Sequence, residues 1–272
     1  MIKPIIRCCI PVLAVLLLYA CQKKDTVAET AYLRKYWNET ASSNYEVPIS
    51  RTTAITAHMF LNLMTDNVFY YDILVDTTLG TDVLSGAGLY YGTAASKGDL
   101  MTDLKPVING RHISGNITLT SQQAEAMMSQ PMFLNVQSKT FSNGLLRLQL
   151  EKNIDWYQDV PLDGGSVVPA VTTAATGKVV LRMTTDKVLH YQVIINNVPA
   201  TDALKETHLH TGAAGTNGTL TYTFATTAAD YNAVKSITGL ADATISTLKT
   251  AACYIDVHSA TYTAGLLRGQ LR

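Results

Sequence analysis

Three histidines carry the constellation in this 272-residue chain with the clearest chemistry. His208 and His210 stand two apart in Glu206-Thr207-His208-Leu209-His210-Thr211, an alternating run that predicts a strand. On a strand both imidazoles leave one face, with Cα atoms roughly 6.5 Å apart. His258 closes a second such run, Tyr254–His258. Glu206 shares the face of the first pair, and Asp256 shares the face of His258. If the two strands are neighbours, three imidazoles and one or two carboxylates converge. Three His ligands with an open fourth position suit Zn²⁺ or Cu²⁺. Glu206 and Asp256 would then hold the imidazole tautomers from the second shell of ligands. Two other readings fit the same residues: hydrogen-bonded histidines that support a sheet face, and a site for a non-metal ligand or partner.

The remaining chemistry is thin. His190 reads as a strand-face residue, and His58 and His112 as surface or loop residues. There is no G-x-S-x-G, P-loop, H-E-x-x-H or C-x-x-C. Of four cysteines, Cys8 and Cys9 lie in an N-terminal targeting segment. Cys253 stands alone and reads as a small core residue rather than a reactive thiol. Lys+Arg and Asp+Glu both number 21, so no basic excess favours nucleic acid.

An internal repeat positions these residues. Shifted by 120, residues 52–100 lie on 172–220 with 17 identities; shifted by 121, residues 134–150 lie on 255–271 with nine. The positions matching His208, His210 and His258 in the first copy are Gly88, Tyr90 and Gln137. All three imidazoles are missing together, which suggests that they act as a unit and that the fold does not need them. Arg147 and Gln149 recur as Arg268 and Gln270, and read as fold-supporting.

Periodicity within each copy is mostly two. Residues 178–183 and 188–195 read as strands around a turn at Thr184–Lys187, matched by a turn at Thr65–Asn67 in the first copy. Further strands are expected at 208–211, 219–224, 254–258 and 266–271. One short helix per copy is expected, at 121–128 and at about 241–249. The fold class is therefore all-β: two tandem antiparallel sandwiches or barrels, each with one short helix. Tyr70-Tyr71 and Tyr90-Tyr91 are expected to pack on the sheet.

These motifs resemble the CHRD domain. Its pattern of an N-E-V-P start, an H-x-H-G centre and an N-V-H…R-G-Q end is similar to Val168-Pro169, His208-Leu209-His210-Thr211-Gly212, Asp256-Val257-His258 and Arg268-Gly269-Gln270 here. The first copy resembles it through Asn44-Tyr45-Glu46-Val47-Pro48 and Arg147…Gln149. Departures are Thr211 before the central glycine and Leu266-Leu267 where Gly-Glu-Ile is commoner. The resemblance covers nearly all of 38–272 and implies an immunoglobulin-like or barrel fold, without naming a function.

The N-terminus implies an address. Lys3 and Arg7 precede an apolar run, Val12–Ala20, too short to span a bilayer. It ends Leu18-Tyr19-Ala20-Cys21, which resembles a bacterial lipobox and implies lipid on Cys21. Gln22, rather than Asp, implies the outer membrane. Loss of Lys3 and Arg7 with residues 1–20 leaves 19 cations against 21 anions, a formal charge of −2. Acyl chains would supply the membrane affinity. The expected organisation is a signal peptide (1–20), a tether (21–37), a domain (38–152), a linker (153–167) and a second domain (168–272). The expected function is a lipid-anchored binding or structural protein of the cell envelope, or a metal-binding protein or metalloenzyme using His208, His210 and His258. The protein or glycan partner is not named by the sequence.

Overall fold

The computed structural model describes residues 30–49 and 51–272. The expected signal segment, Cys21 and most of the expected tether lie outside the described residues. Among the described residues no helix is long and apolar enough to cross a membrane.

The first copy runs β1 (Leu33–Ser42), β2 (Thr56–Met64), β3 (Val68–Val75), β4 (Leu84–Tyr91), β5 (Asp99–Asp103), β6 (Val107–Asn109), β7 (His112–Thr118), helix α1 (Ser121–Ser129), β8 (Met132–Ser138) and β9 (Leu146–Gln149). These strands form one antiparallel sheet in the order β5-β4-β8-β9-β1-β2-β3-β7-β6. The second copy runs β10 (Ile154–Leu162), β11 (Thr176–Thr184), β12 (Leu189–Asn196), β13 (Leu204–Thr211), β14 (Leu220–Ala225), β15 (Val234–Ile237), helix α2 (Asp242–Thr250), β16 (Cys253–Ser259) and β17 (Leu267–Gln270). Its strands form two sheets, β10-β11-β12-β15 and β14-β13-β16-β17. A bridge from Asp163 to Arg268 stitches β10 to β17, as Ser42 to Arg147 joins β1 to β9 in the first copy.

Alternation explains the strands. On β2, Ala57, Met59, Leu61 and Leu63 are buried while His58, Phe60 and Asn62 face out. The β2–β3 and β11–β12 hairpins turn through Asn67 and Lys187, both at positive φ (65° and 63°). Helix α1 starts at a capping box in which Thr120 and Gln123 satisfy each other's backbone N–H. Buried tyrosines recur as the repeat predicts: Tyr71 donates to Leu104 O and Tyr191 to Phe224 O, each at 2.8 Å.

The structure corrects two boundaries. Residues 153–167, expected as a linker, contain β10, which pairs along its length with β11. The end of the expected tether belongs to β1, and Trp37 is buried there, donating from Nε1 to Leu150 O at 2.8 Å. Both stretches carry polar residues on their outer face, which hid the strand period.

The two copies pack directly. Val180 of β11 is buried against Val47 and Ala95, with Ile194 beside them. Asn44 donates to Tyr157 Oη at 2.6 Å and the Ile49 N–H to Asp159 Oδ2 at 2.9 Å. Arg182 is fully buried, paired with Asp159 at 2.9 Å and donating to the Glu46 carbonyl.

Candidate metal centre

The two histidine strands are neighbours. β13 pairs with β16, placing His208 opposite Asp256 and His210 opposite Tyr254. Between Leu204 and Thr207 the register shifts, so that Lys205 and Glu206 oppose His258 alone. Such a bulge re-aims side chains locally. His208, His210, Asp256 and His258 each offer one ligand atom, and these atoms lie within 4.8 Å of one another. The His208 ring centroid is 4.8 Å from that of His258 and 5.6 Å from that of His210.

Hydrogen bonds fix the tautomers of two rings. His210 Nδ1 is 3.1 Å from Gly218 O, and His258 Nδ1 is 2.9 Å from Thr263 O. A carbonyl can only accept, so both Nδ1 atoms carry a proton. Each Nε2 of the neutral ring is then an acceptor, and both face the same oxygen. Asp256 Oδ1 lies 3.4 Å from His210 Nε2 and 3.1 Å from His258 Nε2. Without a cation, lone pairs meet a carboxylate. The Asp256 contact, opposed by burial, raises the His258 pKa, so one proton can sit there. His210 Nε2 stays buried without a hydrogen-bond partner, and such an atom asks for an explanation.

A divalent metal would meet that need. Tetrahedral bonds of about 2.0–2.1 Å set ligand atoms roughly 3.3 Å apart. The two contacts of Asp256 already have that spacing. His208 Nε2 lies 3.2 Å from Glu206 Oε2, and burial pushes the His208 pKa down, with the charge of His258 adding to it. That ring is held neutral, as a metal ligand must be.

Glu206 Oε2 thus lies beside the His208 imidazole, against Nε2. Asp256 stands elsewhere. It was expected behind the ligands, but its Oδ1 lies among them, because a residue directly opposite His208 shares the inner position rather than the rear one.

The loop Gly212–Gly218 supplies the carbonyl that orients His210. Arg268 donates to Ala213 O at 3.2 Å and to Asn217 Oδ1 at 3.3 Å, and Gln270 donates to Gly212 O at 2.9 Å. The Gly218 N–H donates to Tyr254 Oη at 3.1 Å. Tyr254 is sandwiched between the Arg268 guanidinium, 3.3 Å from its ring centre, and His210, stacked at 5.0 Å and 4°. Sequence reading missed this stack; its signal was the aromatic two residues before Asp256.

The first copy keeps the clamp and lacks the imidazoles. Arg147 lies 3.5 Å over Phe133, which stacks on Tyr90 at 5.2 Å. Arg147 donates to Ser96 O and Thr93 O, both at 2.7 Å. Arg147, Gln149, Arg268 and Gln270 thus hold loop carbonyls, as fold-supporting residues. In place of Asp256 stands Asn135, whose Nδ2 donates to Glu46 Oε1 at 2.8 Å. Gln137 Nε2 donates to Asn135 Oδ1 at 2.9 Å and to Tyr90 Oη at 3.1 Å. Donors face acceptors throughout. Burial raises the Glu46 carboxyl to about 7, against the pull of Arg147.

The other singled-out residues separate. His190 bonds Ser236 Oγ at 2.8 Å on a strand face. His112 lies 3.0 Å from Asp72, and His58 is exposed on β2. Cys253 is free and buried, and burial raises its thiol pKa, which makes it unreactive. Tyr70, expected to pack on the sheet, is 46% exposed.

The CHRD domain family model matches residues 38–150 and 159–271, two consecutive copies. No curated protein and no solved structure matches the chain.

Proposed function

The chain belongs to the CHRD domain family, with two tandem domains, and we propose that it is an envelope binding protein whose second domain holds one divalent metal ion. The ligands are His208, His210, His258 and Asp256, with Glu206 beside His208. Zn²⁺ and Cu²⁺ suit three imidazoles and a carboxylate. The observation that carries this reading is the convergence of His210 Nε2 and His258 Nε2 on Asp256 Oδ1 while both Nδ1 atoms are committed to carbonyls. The first domain, lacking imidazoles, serves as spacer and partner surface. The function assigned is binding; no reaction is.

The lipid anchor belongs to the same proposal. The segment Leu18-Tyr19-Ala20-Cys21-Gln22 supports acylation of Cys21 and an outer-membrane address. With equal numbers of cations and anions, the chain offers no electrostatic basis for binding nucleic acid.

Elemental analysis of protein purified without an affinity tag tests the metal. Close to one Zn or Cu per chain is expected, and loss of it in His208→Ala and His258→Ala. A metal-free protein that takes up neither ion from solution, and whose melting ignores chelator, would overturn the reading.

A further inference from the structure

The two domains pack head to tail, and each leaves one half of that contact open. The second domain uses the outer face of β10, β11 and β12. The first uses its loop end, around Glu46, Val47 and Ala95. This contact is heterologous: different patches of two similar domains meet. Because the domains are copies, each patch has a counterpart on the other domain.

The counterpart of the docked sheet face is exposed. Val180, Ile194 and Tyr157 of the second domain correspond to Phe60, Leu74 and Tyr36 of the first. Val180 is buried and Ile194 packs beside it, whereas Phe60 is 49% exposed, Leu74 46% and Tyr36 63%. These three sit on adjacent strands, with Phe60 paired to Asp72 on β3 and Tyr36 to Asn62 on β2. The counterpart of the buried loop end is also open. Ala95 is fully buried, while its equivalent Gly215 is exposed; Val47 is buried, while Val168 is half-buried.

The charges differ on the sheet side. At the internal contact Arg182 and Asp159 meet the Glu46 and Ile49 backbone. On the open face their equivalents are the neutral Asn62 and Asn38. The open sheet face, with Phe60, Leu74 and Tyr36 exposed and no ion pair across it, is thus more apolar than the docked one, and apolar surface of this kind marks an interaction site.

We propose that a second copy of this chain fills the open contact: the loop end of one chain's second domain docks on the β1–β3 face of another chain's first domain. The assembly repeats the internal contact and grows head to tail. It does not depend on a metal ion.

Sedimentation velocity on the full chain in detergent tests this. The wild type is expected to show dimers and larger species that grow with concentration over a tens-of-micromolar range. Phe60→Glu and Val168→Glu should each sediment as monomers. Their equimolar mixture should regain dimers and stop there, because each chain brings one intact patch. Leu74→Glu on the sheet face and Ala214→Glu, at the exposed residue beside Gly215 on the loop end, repeat the two arms, and unchanged melting of all four confirms that they fold. A monomeric wild type, association that survives either charge, or a mixture that stays monomeric would overturn the proposal.

Discussion

Asp256 Oδ1 lies 3.4 Å from His210 Nε2, although the His210 Nδ1 proton already points at the Gly218 carbonyl. Two acceptors face each other in a place that is mostly shielded from water. In the first domain the same position holds Asn135, an amide that donates. The difference between a carboxylate and an amide at this one position separates a cluster in which acceptors face each other from one in which donors meet acceptors.

Asp256→Asn follows directly. The amide can donate to an imidazole Nε2, so the metal-free protein should gain about 1 kcal/mol in urea unfolding, the usual net worth of a hydrogen bond. Metal affinity should fall by about 10–100-fold or more, the range seen even for outer-shell changes. Isothermal titration with Zn²⁺ reads the second effect. A metal-free protein weakened by the change, with affinity kept, would contradict the assignment of Asp256 as a ligand.

The pH dependence has a defined sign. Asp256 raises the His258 pKa above its ordinary value. In metal-free protein the proton on His258 therefore stabilises the fold fully below about pH 6.5, the unfolded value. That contribution is lost as pH rises through the higher folded value. Metal competes with the same proton, so Zn²⁺ affinity should increase across the same window. Melting curves from pH 5 to 9, with chelator and with Zn²⁺, should show the two trends opposed. His258→Ala should flatten both.

Arg147 is the fold's counterpart to that chemistry. The residue is 1% exposed, and its guanidinium donates to two loop carbonyls and to Gln149. Arg147→Ala leaves the Ser96 and Thr93 carbonyls and Gln149 Oε1 without their donor, and should cost about 1–3 kcal/mol for each acceptor left buried and unpaired. Arg147→Lys cannot reproduce the planar fork or the stack on Phe133, and should recover only part of that loss. Denaturant titration of both variants measures the difference.

Cys21→Ser tests the anchor. The precursor should stay unlipidated and leave the membrane fraction. A variant that still sediments with membranes would refute acylation at that residue.

The sequence made much of this legible because duplication shows the same solution twice. Period-two runs and the matched turns at Thr65–Asn67 and Thr184–Lys187 located the hairpins, and the H-x-H spacing put His208 and His210 on one face. Strand β10 was hidden because Asp155, Gln158 and Asp159 resemble a polar junction, although Asp159 in fact pairs with Arg182 in the contact between the domains. The central place of Asp256 was hidden as well: spacing says which face a residue takes, while cross-strand register says which group stands innermost, and a single bulge at Lys205–Glu206 sets that register. Tyr70 was misread because the face that is covered in the second domain is open in the first.

The most direct measurement is a crystal soaked in Zn²⁺ and recorded at the zinc absorption edge. The account predicts one strong anomalous peak enclosed by His208, His210, His258 and Asp256, about 2.0–2.1 Å from imidazole nitrogens, and none at Gly88, Tyr90 and Gln137 in the first domain. No peak among the three imidazoles, with zinc bound elsewhere or nowhere, would contradict it.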